Sequence, residues 1–567
     1  MPSKYHLQPI FNIAEICAKH RIENAILSPG SRCAPLLIAF SSHPNIKCHS
    51  VSDERSAGYI ALGMAQSTKK PVVLVCTSGT AAANYLPAIT EAHYQEVPLL
   101  VLTADRPPEW IDQQDGQTIR QQGIFGSFVK KSFQFPVSFE QEDAVWHSER
   151  IVNEAVLLSQ EGVKGPVHIN IPLREPFYPE KNAKIEFGKP KIIHESTSSL
   201  KLPKSETEVL KQEITQFNKI LIVKGQSEHY KQLSALLDRF DVPVVADVIS
   251  NEHLSSNSIK HQDAFLGRDF ESKSDLQPDL LITFGKSVIS KQLKLFLRKN
   301  KDLVHWHIQP YGEVADTFKS LHRIIRISPN RFFMYFSDIL TKQKDTFLKK
   351  WKKVDNVTAS FIDDFFAKSS FNEFGTIYHF LKNMEADSVL HLANSMAVRY
   401  ANFIGLDKDI EVFSNRGTSG IDGCISAAVG HAASNEKIHY LITGDLAFFY
   451  DANSLWNTLP KNNLRILLIN NFGGAIFGMI PGPSESSAYN KFFVTEQPKT
   501  AKHIAEMHKI AYSVVNSKEE LSEILPRFTS NNKDGAQIIE VMSSEPSAVE
   551  TMKYFRAELQ KYLEKHI

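Results

Sequence analysis

The residues best suited to chemistry in this sequence fall in one stretch, 438–477, IHYLITGDLAFFYDANSLWNTLPKNNLRILLINNFGGAIF. Gly444-Asp445 closes one short apolar run, HYLIT, and Asn470-Asn471, followed by Phe472-Gly473-Gly474, closes a second, LRILLI. A carboxylate, an amide and a backbone carbonyl at a glycine turn are hard oxygen donors that suit Mg²⁺. They leave part of its octahedral shell open to phosphate oxygens and water. To act together they must leave the fold at one edge. Two aliphatic or β-branched runs flanking an amphipathic stretch of helical length predict a β-α-β unit with parallel strands. The carboxyl edge of such a sheet is where open α/β folds bind ligands. Alone, GD is a common strand-end turn and NN a common loop, so the signal lies in the pair.

GD, about 25 residues and then NN resembles the diphosphate-anchoring motif of thiamine-diphosphate enzymes. That resemblance implies a metal held by Asp445, Asn471 and the carbonyl of Gly473. It also directs attention to Glu54, in SDERSAG at a junction of strand and helix. An acidic residue in a helix's first turn is favoured by the dipole and needs no function. The functional reading is that thiamine catalysis requires a desolvated carboxylic acid against a pyrimidine nitrogen, where shared protonation favours the imino form of the ring. Burial supplies the raised pKa this needs.

The elements that would position these groups alternate strictly. NAIL leads into SPGSR; then come CHSVSD, the helix ERSAGYIALGMAQ, PVVLVCTSG, the helix TAAANYLPAITEAHY and VPLLVLTAD. The pattern predicts an α/β fold with a doubly wound parallel sheet. Arg32, Glu54, Ser78-Gly79-Thr80 and Arg106 all follow strands and so converge on one face. The polar loop IDQQDGQTIRQQGIF is expected to line a site. KKSFQFPV reads as a strand, and GPVHINIPLREPFY as an extended exit into a Pro- and Lys-rich linker at 176–205.

A second alternating series runs through KILIVKG, a helix at YKQLSALLDRF, VPVVADV, DLLITFG, LVHWHIQ and IIRIS, without a G-x-G-x-x-G run that would support a nucleotide site there. Residues 340–370 read as a connecting helix along the surface, with LKKWKK its solvated face. The third series comprises SVLHLANSMAVR, EVFSNRGTSGIDGCISAAVGHAA, the opening stretch, AYSVVN, SKEELSEIL, QIIEVM and a charged C-terminal helix. Three doubly wound parallel-sheet domains are therefore expected, with bounds 1–180, 200–340 and 370–567.

Composition narrows the partners. At 567 residues, with 64 basic against 63 acidic side chains, the chain is nearly neutral and has no basic stripe for nucleic acid. Hydrophobic content of 42% is that of a globular protein. No apolar run nears the ~18 residues of a membrane span. The N-terminal segment MPSKYHLQPIFNIAEICAKH reads as a surface helix without a cleavable leader, and a cytoplasmic location is expected. The five cysteines are scattered, never in C-x-x-C, so neither disulfides nor zinc are indicated. Cys33, after a loop arginine, is either a nucleophile or packing.

Most of the chain closely resembles the 2-succinyl-5-enolpyruvyl-6-hydroxy-3-cyclohexene-1-carboxylate synthases of menaquinone biosynthesis, through SPGSR, DERSAG, TSGTAAAN, TADRPPE, GQTIRQ, NSMAVR, SNRGTSGIDG and GDLAFFYD. The resemblance implies a transferase using thiamine diphosphate and Mg²⁺ or Mn²⁺. It would decarboxylate 2-oxoglutarate and add the succinyl carbanion to isochorismate. Catalytic roles are implied for Glu54, Arg32, Gln117, Arg399 and Arg416. Cofactor contacts are implied for Glu54, Ser78, Gly79, Ile421, Gly444, Asp445, Leu446, Asn471, Gly473, Ile476 and Phe477. Substrate contacts are implied for Arg32, Arg106, Gln117, Lys291, Asn394, Ser395, Arg399 and Arg416. Two dicarboxylate substrates suit planar, permanently charged guanidinium donors. Gln292 departs from some relatives, where a second basic residue follows Lys291. The family architecture also implies a dimer or dimer of dimers, with the cofactor shared between copies. An acetolactate-synthase-like or 2-oxo-acid decarboxylase activity, or a catalytically silent regulator of the same fold, are the alternatives.

Overall fold

The computed structural model describes residues 7–179, 185–342 and 345–567. The first six residues of the N-terminal segment, 180–184 of the expected linker and 343–344 of the expected connecting helix lie outside the described residues. The described chain carries three six-stranded sheets. The first comprises β1 (Asn24–Leu27), β2 (Lys47–Ser50), β3 (Val72–Cys76), β4 (Leu99–Asp105), β5 (Ser132–Gln134) and β6 (Val167–Pro172), in the order β2-β1-β3-β4-β6-β5 and parallel throughout. The second comprises β7 (Ile220–Lys224), β8 (Val244–Ala246), β9 (Ser258–Ile259), β10 (Leu280–Phe284), β11 (Val304–Ile308) and β12 (Leu321–Ile325), in the order β12-β11-β10-β7-β8-β9. The third comprises β13 (Ser388–Leu392), β14 (Ile410–Phe413), β15 (His439–Gly444), β16 (Leu464–Asn470), β17 (Ala511–Val515) and β18 (Gln537–Met542), in the order β14-β13-β15-β16-β18-β17.

The central strands are apolar at nearly every position because helices cover both faces of a doubly wound sheet. β3, β4, β6 and β16 are buried along their whole length, whereas the edge strand β2 is partly exposed. The strand orders reverse between β1 and β3, between β7 and β10, and between β13 and β15. A crevice opens outside the carboxyl ends at such reversals. SPGSR and TSGT flank the first, and Asn394-Ser395 and Gly444-Asp445 flank the third.

By packing, the chain divides into two compact units. Met1–Thr197, Asn415–Glu436 and Tyr450–Leu464 form one; Ser198–Ser414, Lys437–Phe449 and Arg465–Ile567 form the other. In the first unit the helix Glu54–Thr68 crosses the helix Cys424–Ala432 on small residues. A Cβ on Gly63 would stand 2.1 Å from the carbonyl oxygen of Ala427, and one on Gly430 the same distance from that of Ile60. Only hydrogen fits at either position. In the second unit Asn251 joins the second and third sheets like an extra strand residue, accepting from the Val412 N–H at 2.7 Å and donating to its carbonyl at 3.0 Å.

Several local expectations change. The stretch between β15 and β16 is not a full helix but a single turn, Asp445–Tyr450, and a 3₁₀ turn, Ala452–Leu455. The intervening Asp451 is fully buried and accepts from both the N–H and Oγ of Ser426 at 2.7 Å, which turns the chain inward. TAAANYLPAITEAHY is two helices, Thr80–Asn84 and Leu86–Gln95, with Pro87 in the first turn of the second. VHINIP is not an exit but the buried strand β6, and IIRIS pairs from Leu321 onward as β12. The helix Glu142–Gln160 had no counterpart in the reading of the sequence. The helix Gln8–Lys19 is no surface helix, since Ile10, Ile13, Ala14 and Cys17 are sealed in the core. Thr346–Lys368 is helical as expected, but Trp351, Phe361 and Phe366 bury one face while Lys349 and Lys350 stay in solvent.

Candidate functional site

In the second unit, Asp445 opens the helical turn after β15 and is only 2% exposed. Burial raises its carboxyl to about 6, against hydrogen bonds from Gln497 and from backbone N–H groups including those of Leu446 and Gly473. Gln497 Nε2 donates to Oδ2 at 2.8 Å. Asn471 follows β16, and Phe472 then takes a left-handed φ of 61°, a strained choice for a bulky side chain. That conformation reverses the chain so that Gln497 N–H bonds the Phe472 carbonyl at 3.0 Å. Gly473 is required by crowding: a Cβ there would lie 2.7 Å from both Cγ1 and the carbonyl oxygen of Val494.

This donor set fits a hard divalent cation. Among the described residues Asn471 Oδ1 is buried without a hydrogen-bond partner, while its Nδ2 donates to Glu373 Oε2 at 2.9 Å. Glu373 is itself buried; burial raises its carboxyl, hydrogen bonds from Asn471, Tyr400 and Ser543 lower it, and the charge of Asp445 adds to the rise. Among the described residues no lysine or arginine is paired with either carboxylate. Two carboxylates and an orphaned amide oxygen call for a positive charge from outside the chain. Gly444 leaves open space where a side chain would stand. Leu446, Ile476 and Phe477 are half-buried, the last two in the turn Ala475–Gly478, with Phe477 5.6 Å from Phe493.

Across the same sheet edge, Ser395 holds a φ of 70° and ψ of −129°, a conformation seldom taken by a residue with a Cβ. Its carbonyl accepts from Arg399 Nη1 at 2.6 Å, and Asn394 beside it is buried. Burial lowers the Arg399 guanidinium, and the charge of Asp263 offsets this. Asp263 also accepts from Ser290 Oγ at 2.7 Å and from the Gln292 N–H at 3.0 Å. Lys291, between them in sequence, is exposed. Asp247 fixes the same turn, accepting from the N–H groups of Ile289 and Ser290.

In the first unit, Glu54 begins the helix Glu54–Thr68, whose N-cap Asp53 accepts from Ser56 N–H at 3.1 Å. Burial raises the Glu54 carboxyl, the charge of Asp53 adds to it, and its own backbone N–H opposes it. It lies close enough to Cys33, Cys76 and Tyr85 for its charge to raise them as well. Thr77 Oγ1 and Ser78 Oγ are buried at the end of β3 without partners among the described residues. Gly79 donates its N–H to Gln121 Oε1 at 3.1 Å and passes against the backbone of Gln117. Arg32 donates to the Leu173 carbonyl at 2.9 Å and stacks 4.5 Å over Phe177. Burial lowers it, and the nearby charge of Arg106 lowers it further, so two guanidiniums share one region. Arg106 is paired with Asp115 at 3.2 Å.

Arg416 and Ile421 sit on a loop of this first unit that Glu91 holds from below. Glu91 accepts from Gly417 N–H at 2.8 Å and from both the N–H and Oγ1 of Thr418 at 2.6 Å. Tyr59 OH donates to Asp422 at 2.6 Å, and Ile421 is left partly exposed. Glu91, Gln121, Asp247, Glu373 and Gln497 were not found from the sequence, since each acts on a loop remote in the chain. Cys33 is not a nucleophile: it is fully buried, its Sγ lies 3.2 Å from the Gly30 carbonyl, and burial pushes the thiol up to about 12.

Residues 11–124 match the N-terminal TPP-binding domain of thiamine pyrophosphate enzymes, 197–392 the middle domain and 395–541 the C-terminal TPP-binding domain. The chain is 42% identical over 558 residues to a 2-succinyl-5-enolpyruvyl-6-hydroxy-3-cyclohexene-1-carboxylate synthase of Cytophaga hutchinsonii, covering 98% of this chain and 99% of the relative. Proteins of the same name in Flavobacterium johnsoniae and Bacteroides thetaiotaomicron are 39% and 37% identical, over 94% and 92% of this chain and 95% and 93% of their own.

Proposed function

Since the chain belongs to the 2-succinyl-5-enolpyruvyl-6-hydroxy-3-cyclohexene-1-carboxylate synthases, thiamine-diphosphate enzymes of menaquinone synthesis that transfer an acyl or aldehyde group, we propose that it joins 2-oxoglutarate to isochorismate with loss of carbon dioxide. The product would be the compound of the family's name. The observation that carries the cofactor's place is the orphaned Asn471 Oδ1 beside the buried Asp445.

When bound, thiamine diphosphate supplies the electron sink that decarboxylation of a 2-oxo acid requires. Asp445, Asn471 Oδ1 and the Gly473 carbonyl would hold Mg²⁺ or Mn²⁺ against its diphosphate, with Gly444 and Leu446 lining the approach. Glu54 would share a proton with the pyrimidine nitrogen, a task helped by the upward shift that burial gives it. Ser78 and Gly79 would border that ring, while Ile421, Ile476 and Phe477 would shape the cofactor and exclude water. Arg32, Arg106, Arg399 and Arg416 would grip the substrate carboxylates bidentately, assisted by Gln117, Asn394, Ser395 and Lys291.

The division into 1–180, 200–340 and 370–567, a cytoplasmic location, and self-association as a dimer or dimer of dimers complete the reading. Among the described residues no helix is long and apolar enough to cross a membrane. The test is carbon dioxide release from 2-oxoglutarate with thiamine diphosphate and Mg²⁺, with and without isochorismate. Release coupled to disappearance of isochorismate supports the reading. Equal release without isochorismate would make the enzyme a simple 2-oxo-acid decarboxylase.

A further inference from the structure

Glu373 does more at the end of β16 than fill space. It stands in the first turn of the helix Glu373–Asn383, whose backbone is fixed by its cap, Asn372 Oδ1 accepting from Gly375 N–H at 2.8 Å. Both oxygens of its carboxylate are engaged, Oε1 by Tyr400 OH at 2.7 Å and Oε2 by Asn471 Nδ2 at 2.9 Å. Tyr400 is held in turn by stacking 4.5 Å from Phe374. The carboxylate is therefore locked from its backbone and from its far side.

An asparagine amide is nearly symmetric in shape and opposite in polarity at its two ends. Nothing in its size decides which end faces a ligand. An ionised carboxylate accepts and cannot donate, so it selects the NH₂ group and turns the oxygen the other way. Asn471 Oδ1 is accordingly the end left buried and unpaired. We propose that Glu373 is a positioning residue that fixes the Asn471 amide so that its oxygen, not its nitrogen, faces the divalent cation of the diphosphate site. This rests on the reading that Asp445, Asn471 and Gly473 hold that cation. The pairing also accounts for an amide at position 471: an aspartate there would set two carboxylates against each other.

Glutamine at 373 removes the accept-only character that orients the amide, since either of its ends can then face Asn471. Exchanging the pair as E373Q/N471D restores it in reverse, with the new glutamine donating to the new aspartate and the second aspartate oxygen left for the cation. Equilibrium dialysis of thiamine diphosphate against increasing Mg²⁺ reads the effect without turnover. E373Q and N471D should each need about 10–100-fold more Mg²⁺ for half-maximal retention, and the double exchange should recover most of the wild-type affinity. A purely structural role for Glu373 gives no such recovery. Retention by E373Q at wild-type Mg²⁺, or a double variant no better than the singles, overturns the inference. Should E373Q fail to fold, the double exchange decides alone. D445A separates the two readings. Impaired retention in D445A beside normal retention in E373Q refutes only the positioning role. Normal retention in D445A refutes the cation site and this inference with it.

Discussion

Replacing Glu91 by glutamine should free the loop that carries Arg416. The carboxylate is completely buried and accepts four hydrogen bonds, three from Gly417 and Thr418 and one from Gln95 Nε2 at 2.6 Å. Glutamine keeps the shape but turns one oxygen into a donor that faces donors. Two of the four bonds are lost, and hydrogen bonds to a charged group contribute about 1.5–3 kcal/mol each. The loop should therefore lose about 3–6 kcal/mol of local stability, or a factor of roughly 10²–10⁴ in its opening equilibrium. Amide hydrogen exchange resolves this by position. Protection at 417 and 418 should fall by that factor in E91Q while the helix Cys424–Ala432, anchored at Gly430 and Ser426, keeps most of its own. If Arg416 binds substrate carboxylate, KM for the substrates should rise more than kcat falls. Unchanged protection at both amides would refute the account of the clamp.

The buried pair Lys224 and Glu252, 2.6 Å apart and without solvent contact, gives a second expectation. K224M should destabilise the second unit by about 3–5 kcal/mol, and K224M/E252L should recover most of it, as seen in thermal unfolding, because a lone buried charge costs more than a buried apolar pair. The cofactor-free protein should also be acid-labile. Burial depresses His168 and His439 to about 3 and His49, His253 and His305 to about 4, so their contribution to stability is lost as the pH falls below their unfolded value near 6.5. Burial raises Asp247 and Asp445 to about 6 and Asp451 to about 7, and these act in the opposite sense. Among these groups the histidines prevail by about two protons near pH 5.5, so stability should fall by about 2–3 kcal/mol per pH unit there. Denaturant titrations at pH 7.5 and 5.5 measure it, and a rise in stability on acidification would contradict the balance.

What the sequence made legible was local. Asp445, Asn471 and Gly473 announce themselves because hard-oxygen donors after apolar runs are a short-range pattern, and the strand order then places them on adjacent strands. Arg32, Glu54, Ser78 and Arg106 are candidates for the same reason, each following a strand by a few residues. Glu91 was not, because its partners Gly417 and Thr418 lie 326 and 327 positions away and nothing in AITEAHY marks a clamp. Glu373 and Gln497 reach the metal-type donors from elements 98 and 52 residues distant. Helix length after β15 was overestimated because an amphipathic period cannot reveal that Asp451 is drawn inward by Ser426. The N-terminal helix was misjudged similarly: its charges, Glu15 and Lys19, occupy a narrow stripe, and the wider face is core.

The central claim is that one strand-end cluster grips the cofactor's diphosphate through a divalent ion. Anomalous diffraction from crystals grown with thiamine diphosphate and Mn²⁺ tests it without recourse to activity. The account predicts a single strong peak at about 2.0–2.3 Å from a carboxylate oxygen of Asp445, from Asn471 Oδ1 and from the Gly473 carbonyl. A well-occupied Mn²⁺ and diphosphate bound elsewhere, with Asn471 Oδ1 still unpaired, would contradict it.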